Sequence, residues 1–348
     1  MSEFDTLYPA DSLEFCPHPQ ATGIFVCGTY KLNEHTDGET NVPRRQGQCL
    51  VFRVDRSDAP ELGLHQIQAI DFPAVLDMKW CHTATSTDPI LGVADSEGKI
   101  TILQWRAHED IFDNVACVPC SPSNNLCLSL DWSNRRAPLG GLGNLIVSVS
   151  DGSLCLLRPA SDGKMVKTNE WLAHDYEPWI SAWDYWDPNM IYSGGDDLAL
   201  KFWDIRQKLV QPVFVNRRFD AGVTTIQSHP HVEHLIAVGS YSHKVFLFDR
   251  RKASVALCQV DVGGGVWRVK WNPRQNRKAD LLVACMHDGF KVLHYEDGMH
   301  HGEIACRFDA HQSLAYGADW SFDSLSEDGK QVIGSCSFYD HRLHIWKA

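Results

Sequence analysis

Short apolar segments in which every second residue is hydrophobic recur along the whole chain. Residues 198–203 (LALKFW) and 244–248 (KVFLF) show this alternation, which is typical of a β-strand with one buried face. The segments come in threes: a first strand ending in an aromatic residue or a turn, a second ending in small residues and a polar turn, and a third rich in aromatic residues. No segment shows the hydrophobic periodicity of an amphipathic helix over enough residues to predict a helix instead of strands. The pattern therefore predicts an all-β protein.

The three-strand unit occurs seven times. Equivalent third-strand positions, spaced 45–54 residues apart, are Phe52, Leu103, Leu157, Trp203, Phe248, Tyr295 and Trp346. This spacing lies at or just above the roughly 40–45 residues of one propeller blade. A blade needs four strands, and we expect residues 3–8 to supply the fourth strand of the seventh blade and close the ring, which avoids an exposed sheet edge. We expect one domain over residues 1–348, with a polar loop inserted at about 31–48 and a second, ordinary surface turn at 324–331.

Composition narrows the classes of partner. The formal net charge of −12 argues against a nucleic-acid binder or an anionic-membrane binder, because both favour a basic face. The 12 cysteines are scattered along the chain rather than held at the spacings of a disulfide framework, so we expect reduced, mostly buried thiols. Nowhere do eighteen apolar residues follow one another. We therefore expect a soluble cytoplasmic monomer.

Two blades resemble the WD-repeat family, in which Trp-Asp ends the third strand. The resemblance rests on KFWDIR at 201–206 and HIWKA at 344–348. In that family a histidine, a serine, an aspartate and the tryptophan bond to each other across one blade. The matching residues are His174, Ser193, Asp197 and Trp203 in one unit, and His311, Ser335, Asp340 and Trp346 in another. Because buried polar groups need partners, we interpret both tetrads as core networks rather than catalytic groups.

Common catalytic and metal motifs are missing from the sequence. It contains no G-x-S-x-G, no Walker loop and no H-E-x-x-H. Cys117 and Cys120 form a lone C-x-x-C with His108 and Cys127 nearby, which is either a zinc site or a surface loop. His229, His231 and His234 lie at one turn, where a solvated turn is the simpler alternative to a metal site. We expect no metal and no cofactor.

A more specific resemblance lies mainly in the second half of the chain. The segments that carry it are DSLEFCPHP (11–19), GGDDLALKFWDIR (194–206), GVTTIQSHP (222–230), GGGVWRVKWNP (263–273), ACMHDGFKVL (284–293), YGADW (316–320) and CSFYDHRLHIW (336–346). They are similar to the diphthine methylesterase family of the diphthamide pathway. The resemblance implies a hydrolase that removes the methyl ester from diphthine, a modified histidine of elongation factor 2. The alternative is a non-catalytic WD-repeat adaptor, because most propellers of this type are interaction platforms.

Propeller loops that precede the first strand and follow the second gather around one mouth of the central channel. Counting four residues back from the aromatic end of the first strand gives Trp267 and Tyr316. Counting one residue back from the aspartate of the second turn gives Asp196, Tyr241, His287 and Tyr339. The resemblance implies a substrate with a trimethylammonium group beside its ester. Aromatic faces bind such ions, so a cage of the four aromatic residues with Asp196 is one interpretation, and a protein-binding patch is the other.

Ester cleavage needs a base or nucleophile and donors for the oxyanion. His287 is the predicted base, with Asp288 either orienting it or only turning the chain. The predicted catalytic set is His287, Ser240 and Asp196. Alternative nucleophiles are Ser242, Cys285, Ser337 and an activated water. Backbone amides of residues 263–265, or the Arg268 side chain, are candidate oxyanion donors, and Arg268 is also assigned to substrate binding.

Overall fold

The computed structural model describes residues 1–33, 44–55, 62–84, 88–136, 141–323 and 329–348. In these ranges 29 strands form seven antiparallel sheets, arranged as the blades of a β-propeller. Two short 3-10 turns, at Arg250–Lys252 and Gln275–Arg277, are the only helical elements of the described residues. The predicted all-β, seven-bladed fold is confirmed.

The first three blades take up the N-terminal half of the chain. Blade one contains β2 (Ala10–Phe15), β3 (Ile24–Thr29), β4 (Lys31–Asn33), β5 (Arg44–Asp55) and β6 (Gly63–Phe72). Blade two contains β7 (Val75–Cys81), β8 (Ile90–Asp95), β9 (Lys99–Arg106) and β10 (Ile111–Pro119). Blade three contains β11 (Cys127–Trp132), β12 (Leu145–Val149), β13 (Ser153–Pro159) and β14 (Met165–Leu172).

The remaining four blades follow the same plan. Blade four contains β15 (Ile180–Trp183), β16 (Met190–Gly194), β17 (Leu200–Asp204) and β18 (Phe214–Asn216). Blade five contains β19 (Val223–Ser228), β20 (Leu235–Ser240), β21 (Lys244–Asp249) and β22 (Cys258–Asp261). Blade six contains β23 (Arg268–Trp271), β24 (Asp280–Ala284), β25 (Phe290–Tyr295) and β26 (Gly302–Phe308). Blade seven contains β27 (Ala315–Trp320), β28 (Val332–Ser337), β29 (Arg342–Lys347) and β1 (Ser2–Asp5).

The ring closes through blade seven, as expected. Strand β1 pairs antiparallel with β29, from Ser2 opposite Ile345 to Asp5 opposite Arg342. The closing strand begins one residue earlier and ends three residues earlier than the predicted segment 3–8. The first strands of neighbouring blades contact each other in a continuous circle, from β2 through β7, β11, β15, β19, β23 and β27 back to β2. These seven strands therefore line the central channel.

Apolar burial holds the blades together. Buried hydrophobic side chains form seven clusters, one at each interface between neighbouring blades. In four blades the tryptophan at the end of the first strand also donates a hydrogen bond from its indole Nε1 to a carbonyl of the preceding blade. These bonds run from Trp80 to Glu14 (3.2 Å), from Trp132 to Lys79 (2.9 Å), from Trp183 to Asp131 (3.1 Å) and from Trp320 to Lys270 (2.8 Å). The recurring aromatic ending of the sequence repeat thus joins one blade to the next.

Two predicted surface segments lie partly outside the described residues. Within the expected insertion at 31–48, β4 and the start of β5 form a paired hairpin with Lys31 opposite Gln46, and residues 34–43 lie outside the described ranges. Residues 324–328, part of a second expected turn, also lie outside them. No helix in the described ranges is both long and apolar enough to span a membrane.

Candidate functional site

Each blade has an equivalent residue at the start of its first strand, at one end of the channel. In five blades a β-bulge makes this an extra residue, for example between Ala315 and Gly317 in blade seven. In blades four and six the equivalent residue directly precedes the strand. We call these seven residues the mouth positions; in blade order they are Asp11, Leu76, Leu128, Trp179, Thr224, Trp267 and Tyr316. They form a ring around the entrance to the channel.

Aromatic side chains from blades four to seven pack together at this entrance. The Trp267 ring stacks on Tyr316, with centroids 4.7 Å apart and an interplanar angle of 22°. It also contacts Trp179 at 5.6 Å and Tyr241 at 6.2 Å. Phe338 extends the group through a contact of 5.1 Å with Tyr316. We call these five residues the mouth cluster.

Three of the four predicted cage residues therefore lie side by side, and the fourth stands at the edge. Tyr339 is 70% exposed and touches the cluster only through Phe338, edge to face at 5.0 Å. Tyr241 and Tyr316 are half-buried, and burial raises the pKa of both phenols. The negative charge of Asp196 adds to this effect at Tyr241, and that of Asp11 does so at Tyr316. Both phenols thus stay neutral and present uncharged aromatic faces.

Asp196 belongs to this group through Trp179. Its Oδ1 accepts a hydrogen bond of 2.8 Å from the Trp179 indole Nε1. Gly222 makes room for this arrangement, because a Cβ at that position would lie 2.4 Å from Asp196 Oδ1 and 3.3 Å from the Tyr241 ring. Burial raises the pKa of the Asp196 carboxyl. The structure places this acid within the aromatic group, as a neighbour of Tyr241 and Trp179.

Arg268 lies one residue along the strand from Trp267, inside the channel. Its guanidinium Nη2 is 3.3 Å from Asp77 Oδ1, and its Cζ is 5.9 Å from the centroid of the Trp267 ring. The residue is 7% exposed. Arg268 therefore places a positive charge inside the channel, next to the mouth cluster. It forms an ion pair with Asp77 of blade two.

His287 occupies the β24–β25 turn, at the outer rim of the mouth. Its side chain is exposed, and no hydrogen bond to it exists among the described residues. Asp288 does not orient it, because that carboxylate is held by Lys291 and by Arg307, whose Nη2 donates to Oδ1 at 2.8 Å. The turn itself is tied to blade seven by the Ala315 amide, which donates to the Met286 carbonyl at 2.8 Å. His287 thus lies beside the site without a partner that would fix its ring.

The side-chain nucleophile candidates are mostly inaccessible. Ser240 is fully buried, and its Oγ donates to Ser242 Oγ at 2.9 Å, so its position argues against attack on a bound ester. Cys285 is also fully buried, and burial raises the pKa of its thiol to about 12, which disfavours the reactive thiolate. Ser337 is fully buried within the tetrad of blade seven. Ser242 is half-buried and is the accessible member of the set.

Two of the three backbone amides at residues 263–265 donate no hydrogen bond within the described part of the chain. The Gly263 amide donates to Asp261 Oδ1 at 2.9 Å, and its φ of +79° marks a turn. The amides of Gly264 and Gly265 donate no hydrogen bond among the described residues. Gly265 lies against Tyr241, since a Cβ there would be 3.6 Å from the Tyr241 ring and 3.0 Å from Met286 Sδ. The free amide of Gly265 therefore belongs to a residue beside the mouth cluster, whereas Gly264 lies against Cys285 and Asp288.

The two tetrads form buried hydrogen-bond networks. In blade four the His174 Nδ1 donates to Asp197 at 2.8 Å, and Ser193 links the His174 Nε2 (2.7 Å) with the Trp203 indole (2.9 Å). Burial lowers the pKa of His174, so the ring is neutral. The histidine of this unit is thus a structural link between serine and aspartate.

Blade seven carries an additional serine in its network. The His311 Nδ1 donates to Ser337 Oγ at 2.5 Å, and Ser337 donates onward to Asp340 at 2.5 Å. Ser335 bonds to His311 Nε2 at 2.8 Å and accepts from the Trp346 indole at 3.1 Å. In a catalytic triad the histidine stands between serine and aspartate. Here a serine stands between histidine and aspartate, which is the geometry of a structural network.

The remaining metal candidates are dispersed. Cys117 is exposed while Cys120 is buried in the core between blades two and three, so the pair does not share one site. His229 is fully buried, and its Nε2 donates to the Lys278 carbonyl at 2.8 Å. The prediction of a solvated turn is therefore wrong for His229, because this histidine joins blade five to blade six. Within the described ranges, no group of three or more His, Cys, Asp or Glu side chains could hold a metal ion.

Five of the seven mouth positions were not singled out from the sequence, and two of these, Trp179 and Asp11, matter for the site. Trp179 and Asp11 lie four residues before Trp183 and Phe15, the first-strand ends of blades four and one. Counting four residues back from the first-strand end gives Trp267 and Tyr316 in blades six and seven. The same count in blades four and one gives Trp179 and Asp11. Phe338, the residue before Tyr339, required the ring contacts of the structure.

The fold and the mouth together define a WD-repeat-type propeller with an aromatic entrance. A chain in a crystal structure of the mitotic checkpoint complex shares this fold, with a TM-score of 0.70, 15% identity, and coverage of all of this chain and 91% of that one. At this identity the likeness concerns the fold alone. No protein-family model matches the chain.

Curated relatives define the family. A protein of Dictyostelium discoideum named diphthine methyltransferase homolog is 37% identical over 97% of this chain and 96% of its own length. The diphthine methyltransferase of Mus musculus is 38% identical over 91% of this chain and 68% of its own length. The chain belongs to the diphthine methyltransferase family.

Proposed function

We propose that this protein is a carboxylic ester hydrolase, which removes the methyl ester from methylated diphthine on elongation factor 2. Its relatives are named for diphthine, and the proposed substrate carries a trimethylammonium group on the carbon that also bears the ester. The observation that carries the proposal is the mouth cluster with Asp196 hydrogen-bonded to it.

The mouth cluster has the chemistry that a quaternary ammonium ion requires. A cation within about 6 Å of an aromatic centroid gains about 0.5–2 kcal/mol per ring, more when water is excluded. Trp267 sits at the centre and contacts three other rings of the cluster. Asp196 adds a carboxylate beside Trp179 and Tyr241. An ammonium ion seated here would bring its neighbouring ester carbonyl to the channel entrance.

Hydrolysis is the transfer of the ester acyl group to water, with release of methanol. It requires a base for the water and donors for the oxyanion. The candidate donors are the backbone amides of the glycine run and the guanidinium of Arg268. The free amide of Gly265, a residue beside Tyr241, and the position of Arg268 beside Trp267 support this assignment. The prediction from the sequence assigns the base to His287, and His287→Ala tests it, since a fully active variant would remove His287 from the mechanism.

Purified protein incubated with methylated diphthine elongation factor 2 in ¹⁸O water tests the function. We expect methanol release and one ¹⁸O atom in the new carboxylate, both measured by mass spectrometry. Methyl transfer to an acceptor other than water would leave the solution free of methanol. Binding of the substrate with no loss of the methyl group would instead support the non-catalytic adaptor.

We further propose that the reaction takes place in the cytoplasm, where a folded protein substrate can dock over the mouth. The exposed Tyr339 ring at the rim is suited to contact that partner, because aromatic side chains are common anchors of protein interfaces.

A further inference from the structure

Asp11 is the mouth position of blade one, and it adjoins the mouth cluster. Its strand, β2, contacts β27, which carries Tyr316, the mouth position of blade seven. The β-bulge between Ala10 and Ser12 makes Asp11 the extra residue of its strand, as the equivalent bulge does for Tyr316. The two strands touch at the next positions, since a Cβ on Gly317 would lie 2.8 Å from the carbonyl carbon of Ser12. The charge of Asp11 raises the pKa of Tyr316. Asp11 is 7% exposed.

Asp11 differs from the other buried carboxylates of the channel. The first strands carry five such residues, all at most 7% exposed: Asp11, Glu14, Asp77, Asp131 and Asp319. Four of them accept hydrogen bonds within the protein. The donors are Lys270 Nζ to Glu14 (2.6 Å), Lys79 Nζ to Asp77 (2.6 Å), the Trp183 amide to Asp131 (2.8 Å) and the Phe15 amide to Asp319 (2.9 Å).

No donor among the described residues reaches the Asp11 carboxylate. The nearby guanidinium of Arg268 is directed at Asp77 instead. Buried polar groups are almost always hydrogen-bonded, and an exception calls for a functional explanation. Burial raises the pKa of Asp11 to about 7, with Arg268 opposing and Asp77 adding to the effect. The ionisable groups that interact with it are Arg268 on β23, Asp77 on β7, Tyr316 on β27 and Cys27 on β3.

We infer that Asp11 is the general base that activates water for ester hydrolysis, an inference that rests on the proposed function. The Asp11 carboxylate accepts a proton as the water oxygen bonds to the ester carbonyl carbon, and the carbonyl electron pair moves to its oxygen. The carbonyl then re-forms, the bond to the methoxy oxygen breaks, and the proton passes from Asp11 to that oxygen. The products are methanol and a carboxylic acid, which loses its proton to solvent.

Geometry favours Asp11 over His287 for this role. The ammonium nitrogen and the ester carbonyl share one carbon, so a cation held on Trp267 and Tyr316 places the carbonyl beside the ring of mouth positions. Asp11 belongs to that ring and neighbours Tyr316. His287 is exposed on the outer turn and lacks an orienting partner. A buried carboxylate with no internal donor is free to bind the attacking water.

The test compares Asp11→Asn with Asp319→Asn, the same change at a buried channel carboxylate that is not one of the mouth positions. We expect Asp11→Asn to lower kcat by about 10²–10⁴-fold, the usual contribution of a general base, and to remove the acidic limb of the wild-type pH–rate profile near pH 7. Asp319→Asn should retain kcat and this limb. Diphthine-bearing elongation factor 2 has the ammonium group but no ester, so it measures binding without turnover. Its affinity for Asp11→Asn should fall by less than about threefold or increase.

A second variant separates chemistry from folding. Asp11→Ala should regain part of its activity when formate is added, because the small carboxylate can occupy the vacated space. The inference fails if Asp11→Asn keeps kcat within tenfold of wild type, if binding and turnover fall by the same factor, or if formate has no effect. Absence of methanol release by the wild-type protein would refute the proposed function itself, whereas an active wild type with an equally active Asp11→Asn refutes only the role of Asp11.

Discussion

Replacing Asp11 with asparagine removes a buried ionisable group while keeping the shape of the side chain, and the effect on stability depends on pH. The folded protein raises the pKa of Asp11 from 3.8 to about 7. Folding therefore favours the protonated form. The contribution of Asp11 to stability is greatest below about pH 4 and falls as the pH rises from about 4 to about 7. Above that pH the buried carboxylate is charged and the contribution stays at its lowest value.

The size of this effect follows from the two pKa values. At 1.36 kcal/mol per pH unit, the interval corresponds to about 4 kcal/mol. Asp11→Asn lacks this penalty. The variant should match the wild type near pH 4 and exceed its stability by about 4 kcal/mol at pH 8. The difference should grow by about 1.4 kcal/mol per pH unit from about pH 4 to about pH 7 and stay constant above that.

Urea denaturation followed by tryptophan fluorescence from pH 4.5 to pH 8 measures this difference. Asp319→Asn is the comparison, because burial raises the pKa of Asp319 only to about 6 and its pH-dependent difference should stop growing there. Unfolding midpoints of wild type and Asp11→Asn that move in parallel over this range would show that Asp11 does not ionise in a buried environment. The base assignment would then lose its electrostatic support.

Three further predictions concern binding, the blade-seven network and ring closure. Trp267→Ala should weaken binding of diphthine-bearing elongation factor 2 by about 1–2 kcal/mol, since one ring contributes up to this amount, and an unchanged Kd in calorimetry would contradict the cage. Ser337→Ala should lower the free energy of unfolding by about 1–3 kcal/mol, because His311 and Asp340 lose a buried hydrogen-bond partner. Turnover should be unchanged, and loss of turnover in a folded variant would make Ser337 a catalytic residue. Phe4→Ala removes a half-buried ring whose centroid lies 4.9 Å from that of Phe52. The variant should lose about 2 kcal/mol of stability and have a lower Tm. An unaltered Tm would show that the closing strand contributes little to stability.

The fold was predictable because each blade repeats the same local chemistry. Alternation with period two gave the strands, and an aromatic residue at the first-strand end, as in Trp132 and Trp320, marked six of the seven blades. In four of these blades the structure adds a reason for that residue, a hydrogen bond to the preceding blade. The bounds of the closing strand were less predictable, because its end at Asp5 is set by pairing with a strand 337 residues away, Asp5 opposite Arg342.

The site was only partly accessible from the sequence. Counting along strands brought Trp267, Tyr316 and Tyr241 together, because propeller geometry maps equal positions onto equal places. It could not tell that Ser240 is buried, since burial depends on the neighbouring blade. It also could not assign the Asp288 carboxylate to Arg307 and Lys291, because side-chain pairing between strands leaves no local pattern.

Closure of the ring by β1 and β29 has a consequence for how the pocket arises during synthesis. The strand at Ser2–Asp5 leaves the ribosome first, yet its pairing partner at Arg342–Lys347 is made hundreds of residues later. Asp11 and Tyr316 lie on neighbouring first strands, β2 of blade one and β27 of blade seven. The complete site, with both Asp11 and Tyr316, therefore forms only after the last blade has been synthesised and the ring has closed. Binding of an ammonium ligand would then report that the propeller is fully assembled.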